Sequence, residues 1–208
     1  MKAKTGIVLG VLLVAVCSIG VLVVLPWLQD RTVVTVVQEK ISRGELGIEF
    51  SFPSGEGAYS YIEPVLGTST EGGPIGAFVM IKSDAYTDYL NTPTSGEAPP
   101  AMSIFVFSES ETAAVSTGTT SPDRLTKIRT WAEANSGRTL YNLALSTPEE
   151  VRIDGAKALH YKADGLYPND VYITFYKNKY YLIVGQYDGE SDPQYTAFKE
   201  LVNSILFI

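Results

Sequence analysis

The chain opens on a short polar segment, Met1-Lys2-Ala3-Lys4-Thr5, and then runs apolar and uncharged from Gly6 to Leu28. At about 1.5 Å of rise per residue, a helix over that run covers the roughly 30 Å hydrocarbon thickness of a bilayer. The run exceeds the ~7–15-residue core of a cleavable signal peptide. Val23-Val24-Leu25-Pro26-Trp27 offers no small-x-small cleavage site either. The pattern predicts a transmembrane signal anchor over residues 6–28. Lys2 and Lys4 hold residues 1–5 in the cytoplasm, and Trp27 falls where an interfacial aromatic belongs. The expected localisation is therefore a cell membrane crossed once, with the C-terminal domain extracytoplasmic. Residues 29–45 read as a juxtamembrane connector. Thr32 to Val37 is β-branched enough for a strand, but Gln38-Glu39-Lys40 and Arg43-Gly44-Glu45 read as solvated.

Residues 46–208 alternate in a way that predicts an α+β domain, with an antiparallel sheet flanked by helices. Leu46 to Phe52 puts Ile48, Phe50 and Phe52 on one face, and Pro53-Ser54-Gly55 stops it. Further strands are expected over Ala58–Leu66, Ile75–Lys82 and Met102–Ser108, with a turn at Gly72-Gly73-Pro74. Residues 91–100 form a Pro-rich loop, and residues 109–120, rich in Thr, Ser and Ala, form an exposed loop. Ser121-Pro122-Asp123 opens a helix through Leu125, Ile128, Trp131 and Ala132, with Ser as N-cap and Gly137 as the stop. Val151 to Ala163 is a strand pair turning at Ile153-Asp154-Gly155. Val171–Lys177 and Tyr180–Tyr187 form a hairpin around Asn178, which tolerates positive φ. Ser191-Asp192-Pro193 opens a last helix with Tyr195, Phe198, Val202 and Ile205 on one face.

Composition adds limits. The chain has 208 residues, 45% hydrophobic and 19% charged, which excludes a disordered polymer. Its net charge of −7 repels phosphate backbones, so no nucleic-acid partner is expected. Cys17, the single cysteine, lies in the apolar run. The domain after it therefore forms no internal disulfide and no Cys-ligated zinc or iron–sulfur site.

No familiar catalytic constellation is present. His160, the one histidine, lies mid-strand, where it is expected to face solvent or bond locally. There is no G-x-S-x-G elbow, no phosphate loop around Gly155-Ala156-Lys157, and no dinucleotide fingerprint. One constellation does suggest a ligand. If the strands meander as read, the loops Asp164–Asp170 and Asp188–Asp192 share one end of the sheet. Asp164, Asp170, Asp188, Glu190 and Asp192 then offer carboxylate oxygens of the kind that bind Ca2+, although the EF-hand spacing is absent. Tyr172, Tyr176, Tyr180 and Tyr181 crowd one hairpin, as core or half-buried packing or as an open recognition face.

Several of these segments together resemble the PsbP/Mog1-like domains. They are Ile48-Glu49-Phe50-Ser51-Phe52-Pro53, the turn Val151-Arg152-Ile153-Asp154-Gly155, the aromatic hairpin Val171 to Tyr187, and the close at Ser204-Ile205-Leu206-Phe207. The resemblance spans residues 46–208 and implies an α/β/α sandwich serving binding or scaffolding, with no functional residue transferred. The expected function is a membrane-anchored, extracytoplasmic, non-enzymatic module with an unidentified protein partner. The alternatives are a ligand- or Ca2+-binding sensor and a hydrolase of unrecognised type.

Overall fold

The computed structural model describes residues 36–55, 57–64, 66, 72–92, 97–109 and 123–208. The expected span 6–28, with Lys2, Lys4 and Trp27, lies outside them, as does most of the loop 109–120. No helix among the described residues is long and apolar enough to cross a membrane.

The first strand lies where a solvated connector is expected. Val37–Arg43 (β1) pairs antiparallel along its whole length with Ile48–Ser54 (β2). Gln38, Glu39 and Lys40 are indeed exposed, but Ile41 is buried, and Lys40 Nζ reaches Glu49 Oε1 across the pair at 2.6 Å. One inward isoleucine and a ladder of backbone bonds suffice to hold an otherwise polar strand. In β2, Ile48, Phe50 and Phe52 are all fully buried, as their alternation predicts.

Tyr59–Ile62 (β3), Gly76–Lys82 (β4) and Ala101–Ser108 (β5) follow, with helix α1 over Ser83–Asn91 between the last two. That helix has no expectation from the sequence, and none of its residues is fully buried. Helix α2 spans Arg124–Ala134 and buries Ile128, Trp131 and Ala132. Asp123, not Ser121, takes its N-cap position. Gly137 does not stop the chain as expected but lies in a one-turn helix, α3, at Ser136–Thr139; the left-handed residue that ends it is Leu140.

The C-terminal strands follow the sequence reading closely. They are Glu149–Ile153 (β6), Ala156–Ala163 (β7), Asn169–Tyr176 (β8) and Lys179–Gln186 (β9). Lys177 and Asn178 both have positive φ (44° and 63°), the pattern of a tight primed hairpin turn. Helix α4 covers Pro193–Ser204, and Leu206–Phe207 (β10) closes the chain against β2.

All ten strands join one sheet in the order β1-β2-β3-β4-β5-β9-β8-β7-β6, with β10 beside β2. The sheet is antiparallel except at one bridge, Ser54 to Tyr59, which makes it mixed. Side-chain alternation sorts its two faces. Tyr181, Ile183, Ala158 and Tyr172 join the cluster under α4, with Phe198, Leu201 and Val202. Tyr180, Leu182, Leu159, Tyr161 and Val171 join the cluster under α2, with Ile128 and Trp131. Helices therefore cover both faces, and the hairpin tyrosines are packing residues: Tyr181 is fully buried, and Tyr180 stacks on Trp131 at 4.6 Å.

Candidate functional site

The expected loop neighbourhood does form at one end of the sheet. Asn169 is level with Gln186, so the loop after β7 and the loop after β9 leave the same edge. Four of the five acidic side chains nevertheless go to separate tasks, and that of Asp188 is exposed. Asp170 is already in β8, and its side chain has no solvent exposure. Asp192 caps α4 by accepting the Gln194 N–H, holds the Asp188 N–H, and approaches Lys82 at 3.4 Å. Glu190 pairs with Lys162. Asp164 accepts the N–H of Gly165 in its own loop. Among the described residues no group of three or more acidic or imidazole side chains is arranged to hold a metal ion. The cause is strand parity. Asp170 shares a face with His160 and Tyr172, so it turns beneath α4 and away from the loop.

Asp170 instead anchors a buried ionic network. Its Oδ1 lies 2.5 Å from His160 Nε2, and its Oδ2 lies 2.5 Å from Lys199 Nζ on α4. An ionised carboxylate only accepts, so His160 carries its proton on Nε2. Lys199 also donates to the Tyr172 hydroxyl at 2.7 Å. The imidazole stacks on the Tyr172 ring at 4.3 Å, and Lys199 lies over the Tyr172 and Tyr195 rings at 5.1 and 5.0 Å. Burial alone would raise the Asp170 pKa. The hydrogen bonds from His160 and Lys199 outweigh that and hold it below the ordinary carboxylate range. Burial would likewise lower the Lys199 pKa, but its bonds to Asp170 and Tyr172 raise it. Burial pushes the Tyr172 phenol up.

A histidine oriented by a buried carboxylate is a recurrent acid–base pair. Here no hydroxyl or thiol nucleophile bonds to the imidazole among the described residues, and Lys199 shares the carboxylate. The network ties β7, β8 and α4 together. Sequence alone gives no sign of it, because Lys199 lies on a helix 29 residues beyond Asp170.

Immediately beside it, the sheet margin exposes leucines. Ala144 forms a bridge with Ala163 at the end of β7. The Leu145 N–H donates to the Lys162 carbonyl, and the Asp164 N–H donates to the Leu143 carbonyl, both at 2.9 Å. Ala144 packs inward on the α2 face, between Leu143, which ends a 3-10 turn over Tyr141–Leu143, and Leu145. Leu143 and Leu145 are 44% and 67% exposed, and Leu166, two residues beyond Asp164, is 65% exposed. This corner has no counterpart in the sequence reading. An L-x-L pair shortly before a strand is its one trace.

No family model matches the chain, and no curated protein matches it. Among solved structures, it is similar to the solution structure of cyanobacterial PsbP (CyanoP) from Synechocystis sp. PCC 6803. That likeness has a TM-score of 0.46 and 13% identity, and covers 85% of this chain and 96% of the other. A crystal structure from Bacteroides thetaiotaomicron VPI-5482 is similar with a TM-score of 0.43 and 16% identity, over 83% of this chain and 49% of that one. One of these two neighbours is a PsbP, the family that the sequence resembles, and nothing about this chain's partner or reaction follows from it.

Proposed function

We propose that this chain is a membrane-anchored, extracytoplasmic accessory module that binds another protein through the corner formed by Leu143, Leu145 and Leu166. The carrying observation is that three leucines exposed by 44%, 67% and 65% fall on two backbone segments bonded to each other at the end of β7. Single exposed apolar residues are ordinary, whereas an exposed apolar group held on a rigid bridge marks a contact surface. The span over residues 6–28 supports the membrane placement by its length and flanking lysines. A hydrolase ranks second, on the His160–Asp170 pair.

The test places a photo-crosslinking side chain at position 145 of the full chain in its native membrane, with a control at Arg129 on the outer side of α2. A discrete adduct at 145, absent at 129, is expected. Equal labelling at both positions, or none at 145, overturns the assignment.

A further inference from the structure

We infer that the partner segment received at this corner is basic: an apolar residue flanked by lysine or arginine, seated on the leucines with its cations among the surrounding carboxylates. The inference rests on the binding role proposed above and adds the chemistry of the partner.

Acidic residues flank the backbone segments that carry the leucines. Asp164 lies across the bridge from Leu143, next to Leu166. Asp188 is fixed at the same end, because the N–H of Tyr187 bonds to the carbonyl of Pro168 in the Leu166 loop. Glu149 faces His160 across β6 and β7. His160 is two residues before Lys162, which places Glu149 about 7 Å along the margin from Leu145 at ~3.4 Å per residue. All three acids are exposed. Among the described residues none of the three forms an ion pair, while the local cations Lys162 and Lys199 are held by Glu190 and Asp170. Three exposed acids without an ion pair thus lie on the segments that carry the leucines or are bonded to them. Interfaces pair such groups with opposite charge, which steers encounter and rejects like-charged surfaces. A second copy of this chain would bring the same acids face to face. An anionic lipid surface would be repelled for the same reason.

The probe is a synthetic amphipathic Leu/Lys peptide, titrated by fluorescence anisotropy into the full chain in neutral detergent. Two triple variants are compared at equal net charge. One, the rim variant, carries Glu149→Gln, Asp164→Asn and Asp188→Asn, and the other neutralises exposed acids elsewhere (Glu39→Gln, Glu45→Gln, Asp88→Asn). Three lost exposed pairs are expected to weaken binding roughly tenfold in the rim variant, with little change in the remote one. Raising salt to about 0.5 M should erase the difference. Equal weakening in both variants means attraction to net charge alone and overturns the inference. So does an unchanged rim variant, or a wild type that does not bind. If the crosslink at position 145 persists unchanged in the rim variant and at high salt, the corner binds a partner that is not basic. The binding role then stands, and this inference falls.

Discussion

Replacing Asp170 with asparagine removes one buried negative charge and almost no volume, so it isolates the electrostatic part of the network. The wild-type carboxylate accepts two charge-assisted bonds, each 2.5 Å long, with no solvent exposure of its own. Hydrogen bonds to charged groups contribute about 1.5–3 kcal/mol each. The upper end does not apply, because the His160 and Lys199 side chains are 20% and 32% exposed and regain water when their partner is neutral. The amide also keeps one acceptor. A loss of about 3 kcal/mol follows, or roughly 6–12 °C in Tm for a domain of this size. Its pH dependence is fixed by sign. The native pKa of Asp170 is depressed, so its contribution is complete above the unfolded value of about 3.9 and disappears as pH falls through the native one. The gap between wild type and Asp170→Asn should be full at pH 7 and should narrow below about pH 4. Lys199 has a raised pKa, so its share is complete below the unfolded lysine value of about 10.4 and is lost as pH rises from there through the raised one. Urea unfolding of the full chain, followed by circular dichroism at several pH values, measures both. A cost under about 0.5 kcal/mol at pH 7 would return the network to the level of a surface pair. A gap that stays constant into acid would refute the coupling of Asp170 to His160 and Lys199.

Two further substitutions test the packing that supports the corner. A Cβ at Gly185 would lie 2.4 Å from the Phe198 ring, so Gly185→Ala should cost about 1–3 kcal/mol through overpacking under α4, read as a lowered Tm. Asp192→Ala removes the N-cap of α4 and should cost about 1 kcal/mol in urea unfolding.

Where local pattern and packing agree, the fold is legible in the residues. The alternation in Ile48-Glu49-Phe50-Ser51-Phe52 places three buried side chains correctly. Asn178 marks its turn, and Asp192-Pro193 opens α4, with the aspartate as cap. The reading falters where a side chain's role is decided by a distant element. The buried stripe of α4 runs through Gln194, Ala197, Phe198, Leu201 and Val202. Of the expected face, Phe198, Val202 and Ile205 are buried, while Tyr195 is only half-buried, beside the Lys199 ammonium. β1 escaped because three exposed polar residues outweigh one buried isoleucine in any local window. Asp170 escaped because a carboxylate at a strand start reads as solvated until Lys199 is seen to cover it.

The two halves of the site depend on each other through β7. Lys162 stands opposite Asp170 in the β7–β8 register, and its carbonyl accepts the Leu145 N–H on the other margin. The buried network fixes β7 from one side, and the fixed β7 positions the leucines on the other. Binding to a surface already held in place avoids the ordering cost of roughly 0.5–1.5 kcal/mol per immobilised side chain. An ion pair with a buried carboxylate is a poor source of net stability compared with apolar packing of equal volume. Its place beneath the strand that carries the exposed corner is better explained by rigidity of display: a few kcal/mol of local fixation set beside a margin where Leu143 and Leu145 face water.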